Sequence, residues 1–172
     1  MIKAVSFFAL FSFILMSCQT EKAAGQYPNT VGDIEFDKNL DDTDLKKCGK
    51  GKDRPFSFQY YHGAKEFDYK GEKIAIIEKL NRQNIHSEKK TNGYITVRFL
   101  VNCEGKTGLF RVQHMNSDLE NSDFDPELEK KLLQFTRSLD GWQPKEIEGF
   151  KVDYYQYLTY KIENGKVSEV LP

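Results

Sequence analysis

The stretch Tyr94-Ile95-Thr96-Val97-Arg98-Phe99-Leu100-Val101-Asn102-Cys103, YITVRFLVNC, is dense in β-branched and aromatic residues. At a period of two, Ile95, Val97, Phe99, Val101 and Cys103 fall on one face, with Arg98 and Asn102 on the other. That is a strand with one face turned to a core. Glu104-Gly105-Lys106 reads as a tight turn, so Gly108 to Met115 is expected to return as the second strand of a hairpin.

Downstream, Asp125-Pro126 supplies an N-cap and a proline at the first helical position. Leu128, Leu132, Phe135 and Leu139 then recur at helical spacing until Gly141 stops the pattern. Phe150 to Ile162 alternates as a long strand, and Asn164-Gly165 signals a hairpin toward a short edge strand near Val167. Upstream, Ile74, Ile77 and Leu80 lie at helical spacing after Gly71, with Ile76 widening the stripe, and Lys89 to Gly93 breaks it. Phe56 to Tyr60 alternates like a short strand. The order helix, strand, strand, helix, strand predicts an α+β domain with an antiparallel sheet of about three to four strands packed against two helices.

The N-terminus reads differently. Lys3 precedes an apolar run from Ala4 to Met16, and a run of that length suits a signal-peptide core rather than a membrane span, which needs about 20 residues. Leu15-Met16-Ser17-Cys18 resembles the lipobox of bacterial lipoproteins, which implies that residues 1–17 are a signal peptide and that Cys18 carries lipid. An ordinary secretory signal or a short anchor is the alternative. Residues 18–33, QTEKAAGQYPNTVGD after the cysteine, are poor in apolar side chains and read as a flexible tether, leaving 34–172 as a single domain. Gln19 is not the aspartate that retains many such lipoproteins at the inner membrane, which favours an outer-membrane position facing the periplasm.

With Cys18 assigned to lipid, Cys48 and Cys103 form an even pair in an exported chain, and they read as one structural disulfide. Two independent buried thiols are the alternative. Their spacing is not that of a zinc site. The 25 Lys plus Arg nearly balance the 26 Asp plus Glu, with no long basic run, which argues against nucleic acid as a partner. His62, His86 and His114 show no ligand spacing, and no nucleophile elbow or phosphate-gripping glycine loop is present. The acidic stretch from Asn116 to Asp125 lacks the register of a calcium loop. No catalytic residue, cofactor, metal or small-molecule substrate is therefore expected, and the reading is of a protein that is not an enzyme.

From about residue 91 to 165, the ordered set Gly93, Val97, Phe99, Val101, Gly105, Trp142, Pro144, Gly149 and Val152 resembles the TonB C-terminal domain, as found in Bacteroidetes-type lipoproteins and transducers. The resemblance implies the α+β fold and binding of an envelope protein or an extended peptide by strand addition, in a role accessory to TonB-dependent transport. A cleavable-type signal stands where a transducer has an inner-membrane helix, and no long Pro-rich spacer follows it. Fold and binding are therefore carried over, and energy transduction is not. The runner-up is a structural or envelope-maintenance lipoprotein using the fold as a scaffold.

A strand edge offers unpaired N–H and C=O groups to a partner. The long Phe150–Ile162 strand is the expected edge. Alternation places Tyr154 and Tyr160 inward with Val152 and Leu158, and Tyr155 and Tyr157 outward with Thr159 and Lys161. Tyr155 and Tyr157 are thus the candidate partner contacts, tyrosine being common in recognition surfaces. The short strand after Asn164-Gly165 competes for the same edge.

Overall fold

A computed structural model describes residues 32–48, 57–59, 67–121 and 124–171. The signal segment 1–17, Cys18, most of the tether and His62 lie outside them, as do Phe56 and Tyr60 of the short strand expected there. Helix α1 spans Glu72–Gln83, followed by strands β1 (Gly93–Val101) and β2 (Thr107–Met115) and helix α2 (Pro126–Arg137). Four strands complete the chain: β3 (Lys145–Ile147), β4 (Phe150–Val152), β5 (Tyr154–Glu163) and β6 (Lys166–Leu171). The fold is α+β. A four-stranded antiparallel sheet runs in the order β2-β1-β5-β6, and β3 with β4 forms a separate two-stranded sheet.

The period-two face of β1 builds the core as its composition requires. Ile95, Val97, Phe99 and Val101 join Leu128, Leu132 and Phe135 from α2 and Ile76 and Leu80 from α1 in one cluster. Burying each such side chain contributes roughly 1.5–3 kcal/mol. Asp125 caps α2 by accepting from Glu127 N–H and from Ser87 Oγ–H, and Pro126 takes the first helical position. The helix stops at Arg137, and Leu139 is buried from the turn beyond it. Tyr154, Leu158, Tyr160 and Ile162 complete the same cluster from β5.

Two expectations about the last long strand need correcting. It is not one strand: Asp153 separates β4 from β5. The physical reason is a buried carboxylate, for Asp153 is 2 % exposed and turns inward to accept the N–H groups of Cys48 (2.8 Å) and Cys103 (3.0 Å). A carboxylate committed to the interior cannot sit on the solvent face of a continuous ladder. Nor is β5 an edge. It pairs with β1 from Tyr154 to Ile162 and with β6 from Thr159 to Glu163.

Candidate functional site: sheet edge and outer sheet face

The sheet face away from the helices carries Tyr94, Thr96, Arg98 and Leu100 of β1. Arg111, Gln113 and Met115 of β2 and Tyr155, Tyr157, Thr159 and Lys161 of β5 share that face. Half of it is covered. The chain from Gly32 to Leu45 crosses it as a strap, and Ile34 is buried with Leu100, Leu109 and Tyr155, Leu45 packing alongside. Ile34 N–H donates to Tyr155 Oη (2.9 Å). The Arg98 guanidinium donates to Gly32 C=O and to Gln59 Oε1 (2.9 Å), and it stacks 4.4 Å from the Tyr155 ring centre.

Alternation therefore placed Tyr155 on the correct face but not in solvent. It is 1 % exposed, and its expected role as a partner contact is corrected to that of a socket for the strap. Tyr157, directly across from Arg98, is half-buried. The rest of the face is half-buried and polar, with Thr96 and Thr159 sharing a 2.9 Å hydroxyl contact.

The strap is locked by a charge pair that spacing could not reveal. Arg111 donates through both terminal nitrogens to Asp41 (2.7 Å each), and its Nη2 also reaches Glu35 C=O (2.6 Å). The Asp41 carboxylate is 1 % exposed. Its hydrogen bonds with the Arg111 guanidinium outweigh the opposing effect of burial, and with Asp37 N–H they hold its pKa below the ordinary carboxylate value. A lowered folded-state pKa contributes stability that is full above the unfolded value of about 4 and is lost as pH falls below it. Acid should thus weaken this lock. Relative to an unfolded peptide at the same pH, the Ile34 amide is expected to lose protection as pH falls below about 4, and Asp41→Asn should show that lower protection already at pH 7. Unchanged protection in the variant would remove the lock from the account.

One open edge of the sheet lies at β6. Tyr155 N–H bonds Phe58 C=O on the side of β5 away from β1, so the odd-numbered residues of β5 turn their backbone groups toward β6. Glu169 and Leu171, opposite Lys161 and Thr159, bond back to them. Val170 between them must point its N–H and C=O outward, and neither group has a partner among the described residues. Its side chain meanwhile is buried in the core. The start of this edge is closed by the His86–Lys166 bridge and by Ser87 N–H on Gly165 C=O (2.8 Å), which leaves Val167 to Leu171.

The opposite edge, β2, is open only around Val112, which faces away from β1 and has no backbone partner among the described residues. Phe110 C=O accepts from the Arg111 guanidinium, and the loop after Met115 folds back with Asn116 N–H on Glu120 C=O. The composition of β5 does not locate the open edge. Tyr154, Gln156, Leu158, Tyr160 and Ile162 are buried on one face and only Tyr155 on the other, an alternation that an edge strand shows as readily as a central one.

The remaining candidate groups are accounted for by packing. His114 Nε2 lies 3.2 Å from Glu129 Oε2 and its ring sits beside Phe124. His86 Nδ1 is 2.8 Å from Asn84 O. Asn116 Oδ1 accepts from Asp118 N–H and Glu120 N–H, so the acidic stretch is organised as a turn on its own side chain. Cys48 and Cys103 are disulfide-bonded, with Cα atoms 5.9 Å apart. No helix among the described residues is long and apolar enough to cross a membrane. Comparison with protein-family models, with curated proteins and with solved structures gives no match in any of the three.

Proposed function

We infer that this chain is a lipid-anchored, non-catalytic module of the bacterial cell envelope that binds an extended segment of another envelope protein by strand addition. The observation that carries this reading is the outer edge of β6, where Val170 presents an unpartnered N–H and C=O beside a half-buried polar sheet face. A partner strand laid there would continue the antiparallel ladder. Backbone hydrogen bonds would supply its affinity, and side chains along Val167 to Leu171 its selectivity. The apolar run ending at Ser17-Cys18 supports anchoring through Cys18, and a disulfide suits an oxidising compartment. The relation to the TonB C-terminal domain, a role beside TonB-dependent transport and an outer-membrane position facing the periplasm belong to the same proposal. The α+β order of elements agrees with them.

Proline at Val170 tests the edge. An edge residue whose N–H faces outward is where a sheet tolerates proline, so Val170→Pro should fold while losing the donor that an added strand needs. Wild-type protein should capture a discrete partner from envelope extract. Val170→Pro, with a native circular-dichroism spectrum, should lose it at least about tenfold, the equivalent of one strong backbone contact and its neighbours. Glu169→Ala, whose backbone bonds inward, should retain it. A folded Val170→Pro protein that captures the same partner equally well would move the docking site elsewhere.

A further inference from the structure

Asp153 has a position that a purely structural disulfide does not require. Its carboxylate is 2 % exposed and lies with the sulfurs of Cys48 and Cys103 so that the three ligand atoms are all within 4.8 Å of one another. It is aimed there by the cysteines themselves, since Oδ2 accepts from Cys48 N–H and Oδ1 from Cys103 N–H. These bonds do not involve the sulfurs, so they can persist when the disulfide is opened. Each carboxylate oxygen keeps a second lone pair for another partner.

We propose that the reduced form of this centre is a binding site for a divalent zinc-like cation, held by Cys48 Sγ, Cys103 Sγ and Asp153. In the oxidised protein the disulfide uses both sulfurs and the site is closed. A dithiol reductant opens it by exchange: the protein S–S bond breaks, the reductant is oxidised to its own disulfide, and its two protons pass to Cys48 and Cys103. The cation then binds with release of those two thiol protons. Tetrahedral zinc at about 2.3 Å from each sulfur places the sulfurs about 3.8 Å apart, within the span the three groups already occupy.

Charge argues for the cation. Two thiolates and the Asp153 carboxylate together carry three negative charges, of which a dication neutralises two. Cys48 is exposed, which leaves a fourth position for water. Spacing along the chain hid this set because the third ligand lies 50 residues beyond Cys103.

The test uses the full mature chain, reduced with a phosphine and freed of metal, then titrated with Co²⁺ and Zn²⁺. Reduced wild type should bind one cation per chain, and Co²⁺ should produce a near-ultraviolet thiolate-to-metal charge-transfer band that Zn²⁺ displaces. Oxidised wild type should bind none. Cys48→Ser and Asp153→Asn should each weaken binding by about tenfold or more, as loss of a ligand does. As a measurement that needs no variant, Zn²⁺ should slow alkylation of both cysteines in folded reduced protein. It should not do so in denaturing urea, where the carboxylate is no longer beside them. No charge-transfer band, binding that persists in urea, or unchanged affinity in a folded Asp153→Asn protein would each overturn the proposal.

Discussion

Cys103→Ser is expected to lower the unfolding free energy by about 4 kcal/mol, a fall in melting temperature on the order of 10 °C. The disulfide closes a separation of 55 residues, and in the chain-entropy model a loop of that size removes about 4 kcal/mol of freedom from the unfolded chain. Native contacts point the same way. The bridge joins the end of the strap to the β1–β2 turn, where Asn102 Nδ2–H also donates to Lys46 C=O (2.9 Å). Asp153 ties both cysteines to the start of β5. Urea denaturation should therefore show the same loss for Cys103→Ser and for wild type kept reduced without metal, with a steeper denaturant dependence because the unfolded chain exposes more surface. Thiol titration of oxidised wild type in denaturant should find no free Cys48 or Cys103. A loss below about 1 kcal/mol would mean that the short-range contacts alone hold the strap in place.

The strap explains why part of this molecule was legible from sequence and part was not. Strand β1, the turn at Gly105, the cap at Asp125 and the hairpin at Asn164-Gly165 depend on residues a few positions apart, and periodicity or turn chemistry exposes them. The features that escaped are all made by distant partners. Tyr155 meets Ile34 across 121 positions, Arg111 meets Asp41 across 70, and Asp153 meets Cys48 across 105. Alternation can assign a side chain to a face, but it cannot say what later covers that face. The candidate site divides in the same way. The hairpin that creates β6 was readable, whereas the fact that β6 occupies the edge assigned to β5 depends on sheet order. Sheet order is settled by which strands pair edge to edge, and the one-sided alternation of β5 is the same for a central strand as for an edge.

Trp142→Ala is the second change expected to be severe, at about 3–5 kcal/mol. Trp142 is 3 % exposed, with Tyr69, Phe99 and Phe67 ring centres 5.0, 5.1 and 5.7 Å from its own. It stands where three parts of the chain meet. Residues 67–70 lead into α1 and are paired with this segment by Lys70 N–H on Gly141 C=O (2.7 Å) and Gln143 N–H on Asp68 C=O (2.9 Å). Phe99 brings in β1, and Tyr154 Oη–H donates to Gln143 C=O (2.8 Å) from β5. Removing the indole leaves a cavity under all three, which the edge-to-face rings cannot close without losing their own contacts. The indole N–H has no hydrogen-bond partner among the described residues, so its deletion forfeits no bond. Trp142→Phe, which keeps an aromatic ring and loses only area, should then cost less than half as much as Trp142→Ala. Equal losses in the two variants would mean that the N–H has a partner after all, such as a buried water, and that the site is held by polarity rather than by packing. A loss below about 1 kcal/mol in Trp142→Ala would show that the α1 lead-in and the sheet are joined elsewhere.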